Sequence, residues 1–145
     1  MQKYVLGFAF DWYLNHVVLI QKLKPAWQAG RYNGVGGKVE PLETNTDAMI
    51  REFREETGIS ATVWEHFGEL EGSEWVVQLY TTTIPSVFEA SSTTEEKVLV
   101  AHVDDVVMGN LSNKCLSNIP WLVMVARNIL KPDQGSPEKI HVRYK

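Results

Sequence analysis

Glu52, Glu55 and Glu56 occupy positions i, i+3 and i+4 of one charged run, Arg51-Glu52-Phe53-Arg54-Glu55-Glu56. A helix advances about 100° per residue, so the three carboxylates project from one side of it. Like charges at these spacings destabilise an isolated helix by about 0.2–0.5 kcal/mol per pair, so the cluster calls for a cation or basic partners. Oxygen-only donors favour Mg²⁺, Mn²⁺ or Ca²⁺ over zinc, and Mg²⁺ characteristically combines a few carboxylates with waters and substrate phosphates. Polyphosphate chemistry is the implication. Without its neighbours the run would be an ordinary solvated charged face.

The flanking residues give the helix ends. Thr44 followed three positions later by Asp47 fits a capping box, and Gly58 stands where a left-handed terminator is wanted, so a short helix over 45–57 is expected. Ahead of it, Gly34, Gly36 and Gly37 permit backbone turns and a close approach to a ligand that a Cβ would obstruct. Arg51 lies four residues before Glu55 and is expected to orient that carboxylate.

The segment from Gly37 to Ile59 resembles, without departure, the Nudix box G-x5-E-x7-R-E-U-x-E-E-x-G-U, with Phe53 and Ile59 at the bulky U positions. The stretch Gly30-Arg-Tyr-Asn-Gly-Val-Gly-Gly-Lys-Val39 is similar to the approach to the box in MutT-type nucleoside triphosphatases. The resemblance implies an α/β fold, a Nudix-type α/β/α sandwich with a mixed β-sheet, as one domain over residues 1–145. It implies Mg²⁺ as cofactor, with Mn²⁺ as a substitute. Glu52, Glu55 and Glu56 are the expected metal ligands, and Glu55 or Glu56 also accepts a proton from attacking water. Gly36 or Gly37 offers a backbone carbonyl, Lys38 pairs with a phosphate oxygen, and Glu43 supports the loop and helix start. A further acid from a later loop is expected at Glu95, with Glu96 as its alternative. Asn33 resembles a position that hydrogen-bonds a purine base.

Composition agrees with a one-domain enzyme. A chain of 145 residues can bury roughly two-thirds of its unfolded surface without staples. Its single cysteine, Cys115, rules out an internal disulfide framework and points to a reducing, cytoplasmic setting. The apolar run from Val5 to Phe10 is too short for a signal peptide or a membrane span. A net charge of −4 with scattered Lys and Arg argues against broad nucleic-acid binding. A monomer or a homodimer fits equally.

Strands are expected over Tyr4 to Phe10, Val17 to Lys22, Thr62 to Leu70, Trp75 to Ile84, Lys97 to Val103 and Ile140 to Tyr144. A second helix is expected over Ile119 to Leu130, opened by Ser117 or Asn118 with Pro120 in its first turn. Trp27, Trp121 and Phe8 are aromatics that could stack on a base, with core packing as the alternative. The four histidines have no metal-site spacing.

Three functions fit. The first is hydrolysis of a nucleoside triphosphate, oxidised or modified bases included, to monophosphate and pyrophosphate. The second is hydrolysis of another diphosphate derivative, such as ADP-ribose, a dinucleoside polyphosphate or an RNA cap. The third is a nucleotide-binding module without catalysis, which the complete set of box glutamates disfavours. Oxidised-purine enzymes of the family carry an acidic pair before the last helix, whereas residues 109–118 here contain no Asp or Glu.

Overall fold

The computed structural model describes residues 1–131 and 138–145. One mixed sheet carries the fold. Its strands are β1 (Gln2–Phe10), β2 (His16–Gln21), β3 (Tyr32–Asn33), β4 (Val35–Lys38), β5 (Glu65–Glu71), β6 (Trp75–Thr83), β7 (Lys97–His102) and β8 (Ile140–Arg143). The helices are α1 (Asn45–Thr57), α2 (Val103–Val107) and α3 (Ile119–Ile129).

The centre is β1, parallel to β6 along its whole length and antiparallel to β4 through Tyr4–Gly7. Its contact with β2 is the single pair Phe10↔Val17, after which β2 runs between β3 and β7. Successive strand side chains alternate between faces. Leu6, Phe8 and Phe10 therefore join the core under α3, together with Ile119, Leu122, Val123 and Ala126. Val5 and Ala9 join the core under α1, with Ala48, Met49 and Phe53. Covering on both faces explains why β1 is uniformly apolar from Val5 to Phe10. This is the expected α/β/α sandwich.

Helix α1 forms where its caps predict. Thr44 is extended, and its side chain accepts the Asp47 backbone N–H at 3.0 Å. Gly58 ends the helix at φ 80°, its N–H donating to the Arg54 carbonyl. Met49, Phe53 and Thr57, one turn apart, face the sheet and are buried. That orientation sends Glu52, Glu55 and Glu56 to the other flank.

Three expectations need correction. The glycine segment is not a turning loop beyond Gly34, which joins β3 to β4: Val35–Lys38 is extended strand paired with β1, because the absent Cβ atoms let β4 pack hard against its neighbours. Strand β5 starts at Glu65 instead of residue 62, after Trp64 donates its ring N–H to the Ala61 carbonyl. The segment expected to end as strand at 103 instead turns into α2, with the His102 ring accepting the Asp104 N–H. Asn118 opens α3 as expected, with Pro120 in its first turn, although its side chain makes no cap bond. The last expected strand forms as β8 at the sheet edge, pairing with β5 in parallel.

Replacing Gly58 by Ala places a Cβ on a left-handed residue, which costs about 1–2 kcal/mol. Urea unfolding of Gly58→Ala is expected to show a correspondingly lower midpoint with an unchanged slope, and an unshifted midpoint would contradict the left-handed cap.

Candidate active site

Arg51 organises the box. Its Nε and Nη2 donate to both carboxylate oxygens of Glu43, at 2.7 and 3.0 Å. Its Nη1 donates to Glu52 at 2.8 Å and to Glu55 at 3.2 Å, while Nη2 also reaches the Lys38 carbonyl at 2.9 Å. The guanidinium is mostly buried, with 17% of the side chain exposed. One planar cation thus ties strand β4, the following turn and helix α1 together. The Arg51 hydrogen bond holds the Glu43 carboxyl below its ordinary range. Glu43 also accepts the Glu40 N–H, so the support expected of it at the helix start is present geometrically.

Glu52 lies between Arg51 and β4. A Cβ on Gly37 would stand 2.4 Å from its carboxylate carbon, so glycine is what lets this acid lie against the strand. Gly36 is held equally tightly, a Cβ there falling 2.0 Å from the Val5 carbonyl oxygen. Glu52 has its pKa raised, first by burial and further by Glu55 and Glu56, against the lowering effect of Arg51. Glu55 is about half exposed.

Glu56 is partly buried beside a loop that sequence spacing did not connect to it. Thr94 donates its hydroxyl to the Glu56 carboxylate at 3.1 Å, and the Thr93 hydroxyl bonds the Glu55 backbone carbonyl. The Glu56 pKa is also raised, chiefly by burial, with Glu96 and Glu55 adding to it while Thr94 and Lys22 oppose. The structure brings Glu96, not the preferred candidate Glu95, to this region. Glu96 accepts Lys22 Nζ at 3.2 Å and the Leu23 N–H at 2.7 Å. Glu95 is exposed, with no side-chain hydrogen bond among the described residues. The difference is local geometry: Glu96 directly precedes β7, which pairs with β2, so its side chain meets the end of β2.

A cavity of about 700 Å³ opens beside the glycine strand and is lined by Gly36, Gly37, Asn33, Lys22, Trp27 and Asn118 among others. That size suits a small-molecule ligand. The Asn33 side-chain oxygen accepts the Gly34 N–H at 2.8 Å, so its amide nitrogen is the group left for a ligand. Lys38 is exposed and does not line this cavity; its contribution to the box is its carbonyl. Phe8 is fully buried and Trp121 packs on the same core, which leaves Trp27, 70% exposed, as the cavity's aromatic among the three considered.

Glu52, Glu55 and Glu56 do not converge as tightly as a finished ligand set. Among the described residues, the three-membered group with ligand atoms within 4.8 Å of one another is Glu69, Glu71 and His141. That group is already bonded internally and to Gln78 and Arg143. In the box, each carboxylate instead turns to its own partner, Arg51 or Thr94. Two acids one turn apart with raised proton affinity, Glu52 packed on Gly37 and Glu56 beside Thr94, fit a hard divalent cation, which offsets the burial cost that holds these pKa values up.

A sequence profile described as the NUDIX domain matches residues 10–114. The chain is 36% identical over 86 residues to a CTP pyrophosphohydrolase of Escherichia coli (strain K12), covering 58% of this chain and 64% of that protein. It is 42% identical over 53 residues to an oxidized purine nucleoside triphosphate hydrolase of Mus musculus, covering 37% and 34%. Each match spans less than two thirds of the relative's own length. In structure it resembles a MutT protein of Bacillus halodurans, with TM-score 0.70, 22% identity, and 97% and 87% of the two chains covered.

Raised carboxylate pKa values make a stability prediction with a definite sign. The folded protein binds protons at Glu52 and Glu56 more readily than the unfolded chain, so this contribution is fully present below the unfolded pKa, about 4.3. It is lost as pH rises through the folded values. In chelator, Glu56→Gln is therefore expected to melt above the parent protein at pH 7, with the gap closing towards pH 4. An equal or lower melting temperature at pH 7 would show that Glu56 carries no burial penalty.

Proposed function

Because the chain belongs to the NUDIX domain family, we propose that it is a Mg²⁺-dependent pyrophosphohydrolase that converts a nucleoside triphosphate into its monophosphate and pyrophosphate. The observation that carries this reading is the adjacency of a clamped acidic helix to the cavity: Gly37 both lines the cavity and underlies the Glu52 carboxylate. A ligand seated there brings its phosphates towards the glutamates.

Glu52, Glu55 and Glu56 would hold the ion, with the Gly36 or Gly37 carbonyl beside them. A bound divalent ion supplies charge neutralisation on phosphate oxygens and an acidified water. The chain's own residues do the remaining work. Arg51 keeps Glu52 and Glu55 on one side of α1 and offsets their mutual repulsion. Glu56, anchored by Thr94, accepts the proton as water attacks a phosphorus of the phosphate chain and the bond to its bridging oxygen breaks, the phosphate group on the far side of that oxygen leaving with those electrons. Trp27 and Asn33 would contact the base. The names of the E. coli and mouse relatives, both nucleoside triphosphate hydrolases, support this substrate class.

The test is a Mg²⁺-dependent turnover screen over canonical, oxidised and methylated nucleoside triphosphates, ADP-ribose and dinucleoside polyphosphates, resolving pyrophosphate from orthophosphate. Pyrophosphate from triphosphates is expected, with Glu56→Gln lowering kcat by about a hundredfold or more. Turnover confined to ADP-ribose or dinucleotides would replace this reading, and silence throughout would leave a binding module.

A further inference from the structure

At the β5–β8 edge of the sheet, the apolar side chains Leu70, Ile140 and Val142 pack into the core under α3. Strand alternation sends Glu69, Glu71, His141 and Arg143 to the other face. Helix α1 covers that face over β1, where Met49 and Phe53 meet Val5 and Ala9. At β5 and β8 the two carboxylates and the imidazole stay partly exposed. Two carboxylate oxygens and one ring nitrogen of Glu69, Glu71 and His141 all lie within 4.8 Å of one another.

Their spacing is that of a coordination shell. His141 Nε2 stands 2.9 Å from Glu71 Oε2 and 3.5 Å from Glu69 Oε1. Donors arranged tetrahedrally around Zn²⁺, with bonds of about 2.0–2.1 Å, are about 3.3 Å apart. Both carboxylates accept, so Nε2 carries the proton that lies between them. An ion that replaces this one proton finds three donors already facing it. Each carboxylate also has its second oxygen tied down from outside. Glu69 Oε2 accepts Gln78 Nε2 at 2.9 Å, and Gln78 Oε1 is in turn 2.6 Å from His66 Nε2. Glu71 Oε1 faces Arg143 at 3.4 Å. Outer partners of this kind aim ligand atoms at a metal.

We propose that Glu69, Glu71 and His141 bind a divalent cation of the Zn²⁺ type, with water completing its coordination, and that the ion staples the C-terminal strand to the sheet. The imidazole sets the class of ion, because a nitrogen donor suits Zn²⁺ and its transition-metal neighbours, whereas Mg²⁺ and Ca²⁺ take oxygen ligands. The staple follows from connectivity: both glutamates belong to β5 and the histidine to β8, a strand of four residues at the sheet edge. Segments at a chain end stay ordered only where something ties them down. Tyr144 follows directly, its N–H donating to the Glu71 carbonyl at 2.8 Å and its side chain lining the cavity on the opposite face. The ion therefore steadies one cavity wall without touching a ligand there. This site is independent of the hydrolase reading.

The test is calorimetric titration with Zn²⁺ in excess Mg²⁺, which keeps the acidic face of α1 occupied. The parent protein is expected to bind one Zn²⁺ per chain with release of a proton, seen as a dependence of the heat on the buffer. His141→Ala and Glu69→Gln are each expected to weaken binding by about tenfold or more, and Gln78→Leu by about tenfold through lost orientation of Glu69. Glu56→Gln is expected to bind Zn²⁺ as the parent does. Zn²⁺ is also expected to raise the melting temperature of the parent but not of His141→Ala, whose melt in chelator shows a folded protein. Absence of Zn²⁺ binding by the parent, or binding that His141→Ala and Glu69→Gln leave unchanged, would overturn the site. Binding that leaves the parent's melting temperature where it was would overturn the staple.

Discussion

The placement of one guanidinium beneath a row of carboxylates is the constraint on which the rest of the site depends. Glu43, Glu52 and Glu55 carry like charges in a small volume, and Arg51 reaches all three as well as the Lys38 carbonyl. Charge-assisted hydrogen bonds contribute about 1.5–3 kcal/mol each, more than the few tenths by which a like-charge pair destabilises a helix. The comparison of magnitudes explains why an acidic helix face is stable here. It also explains rigidity, since a planar, mostly buried cation with two oxygens of Glu43 on one edge has little freedom left.

Rigidity at Arg51 matters because strand and helix must meet at an exact separation. Gly37 belongs to β4, which is paired with β1 at the middle of the sheet. Glu52 belongs to α1, which is held on that sheet by Met49 and Phe53. The carboxylate of one touches the bare α-carbon of the other. A packed core on both faces of β1 therefore sets the position of an acid that itself makes no core contact. Cavity and acidic face end up sharing a glycine, which is what allows one ligand to address both.

The remaining parts of the site come from far along the chain. Residues 91–96 cross the end of α1, where Ser91 donates to the Thr57 carbonyl and Thr94 to Glu56. Glu96 then joins the end of β2 through Lys22 and Leu23. Tyr144 arrives with β8 to stand beside Asn118. These contacts make the cavity a product of the whole sheet, with its walls supplied by the segments between strands. Cys115 takes no part in the chemistry: it is buried, and burial pushes its thiol up to about 11.

The sequence alone determined what is local. The caps at Thr44 and Gly58, the acidic face of α1 and the Arg51–Glu55 pairing follow from side chains within a few residues of one another, and the structure contains each. The strand over Tyr4 to Phe10 was legible in its β-branched and aromatic content, and the resemblance to the Nudix box supplied the sandwich around it. Tertiary structure alone decided what depends on distant pairing. Gly34, Gly36 and Gly37 read as turn-permitting because glycine allows many conformations, and only pairing with β1 made Val35–Lys38 a strand. Glu95 and Glu96 are indistinguishable by type, and only the register of β7 against β2 turned the second one inward. Tyr144 could not be linked to Asn118 by any spacing. Helical periodicity propagates through a few residues, whereas sheet register and cavity walls are set by the simultaneous burial of segments that the chain brings together from opposite ends.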